Sequence, residues 1–363
     1  MEVNKNDSKE KAKLIKLVFK VILLALIILW IFRFLLGDMY QHVLRQIIST
    51  SRTGVLILIG LEIIFICLDS VTITLIVKRY KRDYSYGEGL DVLLYGNFYK
   101  GITFGSGTMV ARLYLLNKQE VPAGISSGML TVQSLFHRLA VIMNATVFMV
   151  SFNVFRLFDF ATYRPYFILG YCMNFIMMTG TVFICTWKEF HQIILAVIQK
   201  VLRAVKKEDY LREVEIYFRD LEKESRFLLE KTGWCLKLIL INSIKLMFWY
   251  VMPYVIYISV TGSKPGASLV EIMTLTAMMH LLLGVIPTPV GMGSTEVVYL
   301  ILFSHLFGKV TASTTMIIYR LFTYYMPFVL SILFMLIYSY MQKKRKTSEQ
   351  ESRVYHRIIE RFK

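Results

Sequence analysis

Long apolar runs alternate with short, basic, polar connections along most of the 363-residue chain. Runs of this kind that exceed ~18 apolar residues can cross ~30 Å of hydrocarbon as helices. The pattern predicts six: Leu17–Leu36, Gly54–Val77, Ile125–Val150, Tyr166–Thr186, Leu236–Val260 and Thr314–Met341. Two further apolar segments, about 84–122 and 268–311, are interrupted, the first by GITFGSGTM and the second by PTPVGMG. A polar connector, about 188–235, separates the fourth run from the fifth. Within it Leu211, Val214, Phe218, Leu221 and Leu228 recur at helical spacing, which predicts an amphipathic helix on the membrane or on the protein.

Lysine and arginine placement orients the runs. Lys5, Lys9, Lys11, Lys13 and Lys16 precede the first run, KRYKR (Lys78 to Arg82) follows the second, and KKRK (Lys343 to Lys346) follows the last. Both termini, 1–16 and 342–363, are therefore expected on the cytoplasmic side. Each interrupted segment must then begin and end on one face, the first on the cytoplasmic face and the second on the opposite one. Re-entrant hairpins satisfy that parity. The expected fold is all-α: a polytopic helical membrane protein with about six full spans and two broken-helix hairpins in an inverted-repeat-like arrangement. Non-helical backbone at membrane depth is tolerated only where protein or a wet cavity satisfies it, and opposed broken helices are how such transporters build a midplane site.

Composition supports the membrane reading. The chain is 56% hydrophobic and 18% charged, against about a quarter charged in soluble domains. Its net charge of +17 gathers at the ends of spans, where it meets anionic headgroups rather than nucleic acid. Cys67, Cys172, Cys185 and Cys235 stand singly and read as small buried hydrophobes, with no metal spacing. No motif points to a catalytic triad, a nucleotide loop or a cofactor, so an enzyme is not expected and any movement of cargo would run downhill or on protons or membrane potential.

The informative residues are the charges inside the runs, each costing roughly 2.5–3.5 kcal/mol at a helix centre. Glu62 and Asp69 share one face of the second run. His137 and Arg138 lie mid-way along the third, and Asn242 and Lys245 along the fifth, where Lys245 is close enough to the interface to snorkel. Arg112 follows the first break (Gly105, Gly107). His280 and Glu296 flank the second (Pro287, Pro289, Gly291, Gly293), and Arg320 opens the last stretch with Tyr324 and Tyr325. Buried guanidinium groups are natural forks for phosphate, and a helix beginning after Gly107 directs free N–H groups and a positive dipole end at an anion. Glu296 is expected as helix cap and charge partner. The small-residue cluster Ser126–Gly128 allows close helix packing within or between subunits.

These residues also resemble a known family. GVIPTPVGMGSTEVVYLILFSHLFG followed by MIIYRLFTYYMPFVLSILFMLIY is similar to the flippase-like membrane domain of the lysylphosphatidylglycerol synthase family, through Pro287, Pro289, Gly291, Gly293, Glu296, Arg320, Tyr324 and Tyr325. GNFYKGITFGSGTMVARLYLLNKQEV is similar to its first half, through Asn97, Gly105, Gly107, Tyr114 and Leu115. The resemblance implies a stand-alone membrane domain without the cytosolic aminoacyl-transferase, in the bacterial cytoplasmic membrane. It further implies movement of a polar-headgroup lipid between leaflets (an aminoacyl-phospholipid, a glycolipid or a polyprenyl phosphate) and a link to antimicrobial resistance. The expected partners are membrane lipids, further copies of the chain and a separate lipid-synthesising enzyme. The competing reading is a non-transporting scaffold or regulator of such an enzyme.

Overall fold

The computed structural model describes residues 40–103, 105–151, 160–204, 211–283 and 293–338. The first apolar run, both termini, and Pro287, Pro289 and Gly291 lie outside the described residues. Among the described residues the chain is all-helical. The helices are α1 (Tyr40–Ile48), α2 (Arg52–Val77), α3 (Tyr86–Ile102), α4 (Thr108–Lys118), α5 (Ala123–Ser151), α6 (Phe160–Thr186), α7 (Lys188–Ala204), α8 (Leu211–Leu229), α9 (Thr232–Thr261), α10 (Leu269–Leu283) and α11 (Ser294–Phe307). The last, α12 (Lys309–Tyr338), contains a π-helical turn at Leu321–Tyr325. Five of them (α2, α5, α6, α9 and α12) are long and apolar enough to cross a membrane, and these coincide with the second to sixth runs expected from the pattern.

Local signals set the boundaries. Ser51 Oγ accepts the Gly54 N–H at 3.0 Å and starts α2. Ser85 and Glu88 cap α3 reciprocally: Ser85 Oγ accepts the Glu88 N–H at 3.2 Å, and the Glu88 carboxylate accepts the Ser85 N–H at 2.7 Å. Gly262 ends α9 in the left-handed region, φ 71°. The interrupted segments form the helix pairs α3–α4 and α10–α11. Their helices hold 17, 11, 15 and 14 residues, or about 26, 16, 22 and 21 Å at ~1.5 Å per residue, each short of the ~30 Å hydrocarbon thickness. The expected amphipathic connector is α8, which buries Leu221 and Leu228.

Glycines and serines bring these helices close. On α5, a Cβ at Gly124 would lie 2.7 Å from the Tyr217 carbonyl oxygen of α8, and one at Gly128 would lie 3.0 Å from that of Leu221. The small residues around Ser126 thus serve packing inside the chain. On α2, a Cβ at Gly54 would lie 1.9 Å from Ser259 Oγ of α9, and Ser51 N–H donates to the Ser259 carbonyl at 2.9 Å. Apolar packing separates into two main cores. One gathers Leu58 with Met252, Ile256, Leu275, Tyr299, Phe303 and Phe322; the other gathers Ile66, Ile73, Leu93, Leu115, Val132, Phe136 and Leu238.

Overpacking a tight crossing costs roughly 1–3 kcal/mol. Gly54→Ala is therefore expected to lower the thermal midpoint of the detergent-purified protein, and Ser259→Gly in the same chain to restore most of the loss. Gly60→Ala, where nothing lies within 4 Å of the added Cβ, should leave the midpoint unchanged.

Candidate functional site

Four long helices pass from one apolar core towards another, and each carries polar residues at the crossing. On α2, Leu58 belongs to one core and Ile66 to the second, with Glu62 between them. On α9, Leu238 and Met252 flank Lys245 and Trp249; on α12, Phe322 and Leu330 flank Thr323, Tyr324, Pro327 and Phe328. On α5, Phe136 and Ala140 flank His137. These groups, joined by Asn97, Lys100, Gly105, Thr108 and Arg112 of the α3–α4 pair and by Gln133 and Ser134 of α5, line a cavity of about 310 Å³. That is room for about ten waters at ~30 Å³ each, or for a lipid headgroup with a few of them.

Helical spacing explains the convergence. Glu62, Ile66 and Asp69 share a face of α2, as do Leu93, Asn97 and Lys100 on α3, Gln133 and His137 on α5, and Lys245 and Trp249 on α9. Backbone irregularity opens the remaining walls. At the first break Gly105 takes φ 92°. Thr103 Oγ1 accepts the Gly107 N–H at 2.7 Å and donates to the Tyr99 carbonyl at 2.7 Å, so the bend is satisfied from within. Gly96 leaves the space Arg112 occupies, since a Cβ there would lie 2.6 Å from Arg112 Nε. In α12 the π turn places the Met326 N–H on the Leu321 carbonyl. Pro327 then withholds a donor from the Thr323 carbonyl, so this helix departs from regularity where it faces the cavity. Such π turns gather at functional sites.

Inside the cavity the charges are partly matched. Lys245 Nζ donates to Asp69 Oδ1 at 2.7 Å and to Asn242 Oδ1 at 2.9 Å, and it lies 5.4 Å from the Phe65 ring centroid. The expectation that Lys245 snorkels to the interface is corrected by its burial, 2% exposed: Asp69 gives it a counter-charge at depth. Trp249 stacks on Phe65 at 3.8 Å and donates its indole N–H to Glu62 Oε2 at 2.8 Å. Glu62 is fully buried, and its other oxygen, Oε1, has no hydrogen-bond partner, nor has Arg112 Nε.

The remaining expected residues lie elsewhere. Glu296 Oε2 accepts the Gly293 N–H at 2.8 Å and Glu296 Oε1 accepts from Arg320 Nε at 2.8 Å. One carboxylate thus caps α11 and ties it to α12, with the Arg320 guanidinium 5.4 Å from the Tyr324 ring. Of this group only Tyr324 lines the cavity; Arg320, Glu296 and Tyr325 do not. Arg138 turns to α6, with Nη1 3.2 Å from Met177 Sδ. Gly105 lines the cavity, Gly107 and Gly293 do not, and no described residue of the α10–α11 pair does. The expectation of a cavity lined by both breaks is thus met, among the described residues, by the first break alone. His280 Nε2 lies 2.9 Å from the Tyr319 hydroxyl, and its ring lies 5.6 Å from Trp249. The ion pairs formed are Glu296–Arg320 and Asp69–Lys245, neither of them to a histidine.

With this geometry in view, comparison with known families is decisive. The model of the lysylphosphatidylglycerol synthase TM region matches residues 17–331. The chain belongs to that family. No curated protein and no solved structure matches it. Family membership together with the five long apolar helices makes this a multi-pass membrane protein. Sequence reading of this family member passed over Lys100, Trp249 and Gln133; for the first, the Leu93–Asn97–Lys100 spacing on one face of α3 was the available signal.

Removing one partner of a buried ion pair costs about 3–5 kcal/mol, whereas replacing both with apolar groups is nearly neutral. Asp69→Leu is expected to lower the unfolding midpoint strongly, and Asp69→Leu combined with Lys245→Met to recover most of it. Equal losses in the single and double variants would show that the pair does not hold α2 to α9.

Proposed function

We propose that this protein is a flippase-like transporter that moves a polar-headgroup lipid between leaflets, and is not itself an enzyme. The observation that carries the reading is the charged cavity at the junction of the apolar cores, held by helices long enough to span the bilayer. A chain that only scaffolds a partner has no use for Lys100, Arg112 and a Glu62 oxygen left unpartnered at that depth, because each is costly in hydrocarbon. The family match supports a lipid-related role.

In this reading the short pairs α3–α4 and α10–α11 are re-entrant hairpins that dip in from opposite faces, with both termini cytoplasmic in the cell membrane. A headgroup enters beside the first break, its phosphate near Arg112 and Lys100, while the acyl chains stay in lipid. Arg320 serves the second hairpin differently: with Glu296 it locks α11 to α12, next to the cavity-lining π turn. The contacts from Glu62 through Trp249 to His280 and Tyr319 link the cavity wall to the second hairpin, so movement of that hairpin is felt at the cavity. Metal ions and organic cofactors have no part in this scheme.

Reconstitution into liposomes with headgroup-labelled phospholipids tests the proposal. Wild-type protein is expected to speed leaflet exchange, and Arg112→Ala to slow it roughly tenfold or more, the loss of about 1.4 kcal/mol of headgroup binding, while keeping the wild-type unfolding midpoint. Absence of exchange with every phospholipid, glycolipid and polyprenyl phosphate would favour the regulator reading instead.

A further inference from the structure

Arg138 differs from the other charges at bilayer depth in having no counter-charge. It lies at the middle of α5, whose 29 residues run from Ala123 to Ser151. A guanidinium stays ionised in any protein environment, and an unbalanced charge at that depth is costly. Asp69 offsets Lys245, and Glu296 offsets Arg320. Arg138 makes no ion pair among the described residues; its Nη1 donates to Met177 Sδ of α6 at 3.2 Å. A thioether is a weak, uncharged acceptor.

The position of Arg138 gives that charge a use. Ser134, one helical turn earlier on the same face of α5, lines the cavity and is exposed, which marks this turn as the cavity's open side. His137, the preceding residue, lines the cavity as well. Arg138 does not, and its contact with Met177 places it on the rim, between that turn and α6. Exposed apolar side chains flank the rim: Met143 and Val147 on α5, Phe175 and Ile176 on α6. In a bilayer these faces meet hydrocarbon, the side from which a lipid arrives. The neighbouring α6 is the least buried of the five long helices, so it has the least packing to lose by moving aside.

Resting on the reading of the cavity as a headgroup site, we propose that Arg138 is an outer phosphate station, which captures the phosphate of a lipid at the α5–α6 rim and passes it inward to Arg112 and Lys100. The planar fork can make two parallel, charge-assisted hydrogen bonds to phosphate oxygens, where it now makes one to an uncharged sulfur. Met177 orients the fork while the station is empty and releases it at little cost. The station favours a headgroup that carries phosphate; a phosphate-free glycolipid gains nothing from it.

Two substitutions at Met177 separate this role from packing. Met177→Leu removes the sulfur and leaves the fork free, whereas Met177→Glu occupies it with a carboxylate. The full-length protein is reconstituted in vesicles of digalactosyl diacylglycerol, a phosphate-free bilayer, with graded amounts of phosphatidic acid bearing a photoreactive, fluorescent chain. Photolabelling of the protein and leaflet exchange are both measured. The wild type is expected to be labelled on α5 and α6 beside Arg138 and Met177. Arg138→Gln and Met177→Glu should each raise the half-saturating lipid fraction about tenfold, and Met177→Leu should leave it unchanged. Labelling that is the same in wild type and Arg138→Gln overturns the station. So does an equal loss of exchange for chain-labelled digalactosyl diacylglycerol, which would mark Arg138 as structural. Displacement of the lipid by inorganic phosphate would show a site for soluble anions and overturn its lipid role. The expected labelling without exchange by any form keeps the station and removes the transporter reading. Exchange that survives both Arg138→Gln and Met177→Glu removes the station and keeps the transporter. Met177→Glu, which gives Arg138 a partner, decides the matter if Arg138→Gln fails to fold.

Discussion

The ion pair between Lys245 and Asp69 is the contact on which the rest of the site depends. It joins α2 and α9, the two helices that also cross most tightly at Gly54 and Ser259. An ammonium at that depth is tolerable only with a counter-charge and hydrogen-bond acceptors, which Asp69 and Asn242 supply. By holding these polar faces together between two apolar cores, the pair keeps the cores apart, and the space left between them is the cavity. Neighbouring groups of the cavity wall, Lys100, Arg112 and one oxygen of Glu62, lack such a partner; in the transporter reading they are the part of the site that meets a ligand.

The two helix pairs contribute in different ways. The first, α3–α4, provides cavity wall directly through Asn97, Lys100, Gly105, Thr108 and Arg112. The second, α10–α11, reaches the cavity through intermediaries: His280 contacts the Trp249 ring and the Tyr319 hydroxyl, and Glu296 fixes Arg320 at the head of the π turn. The arrangement is therefore asymmetric in chemistry despite the shared pattern of short helix, glycine break and short helix. In the transporter reading, one pair holds the headgroup while the other sets the position of the wall that faces it.

Much of this was legible in the residues themselves. Apolar run length located the five described long helices because crossing hydrocarbon leaves little freedom of composition. The seven-residue spacing of Glu62 and Asp69 put both on one face, and the burial cost of charge singled out Arg112. What the pattern could not reveal was pairing between distant helices. Lys245 read as a snorkelling residue because its distance along the helix is visible in the sequence and Asp69, 176 positions earlier, is not identifiable as its partner. Lys100 was passed over because it stands directly before the break GITFGSGTM, and its place in the cavity needs the turn of α3 onto α4. Arg320 read as a phosphate fork because its pairing with Glu296 needs the turn of α11 onto α12. The π turn left no mark that periodicity detects.

The central claim is that water and headgroups reach the space between the cores while the outer helix faces meet lipid. Ser134 lines the cavity on α5, and Val147, on the same helix, is 58% exposed on an apolar surface. In a cysteine-free background, Ser134→Cys and Val147→Cys can each be exposed, in membranes, to a charged, water-soluble thiol reagent. The account predicts rapid modification at position 134 and almost none at 147. Protection of 134, or equal reaction at both positions, would contradict it.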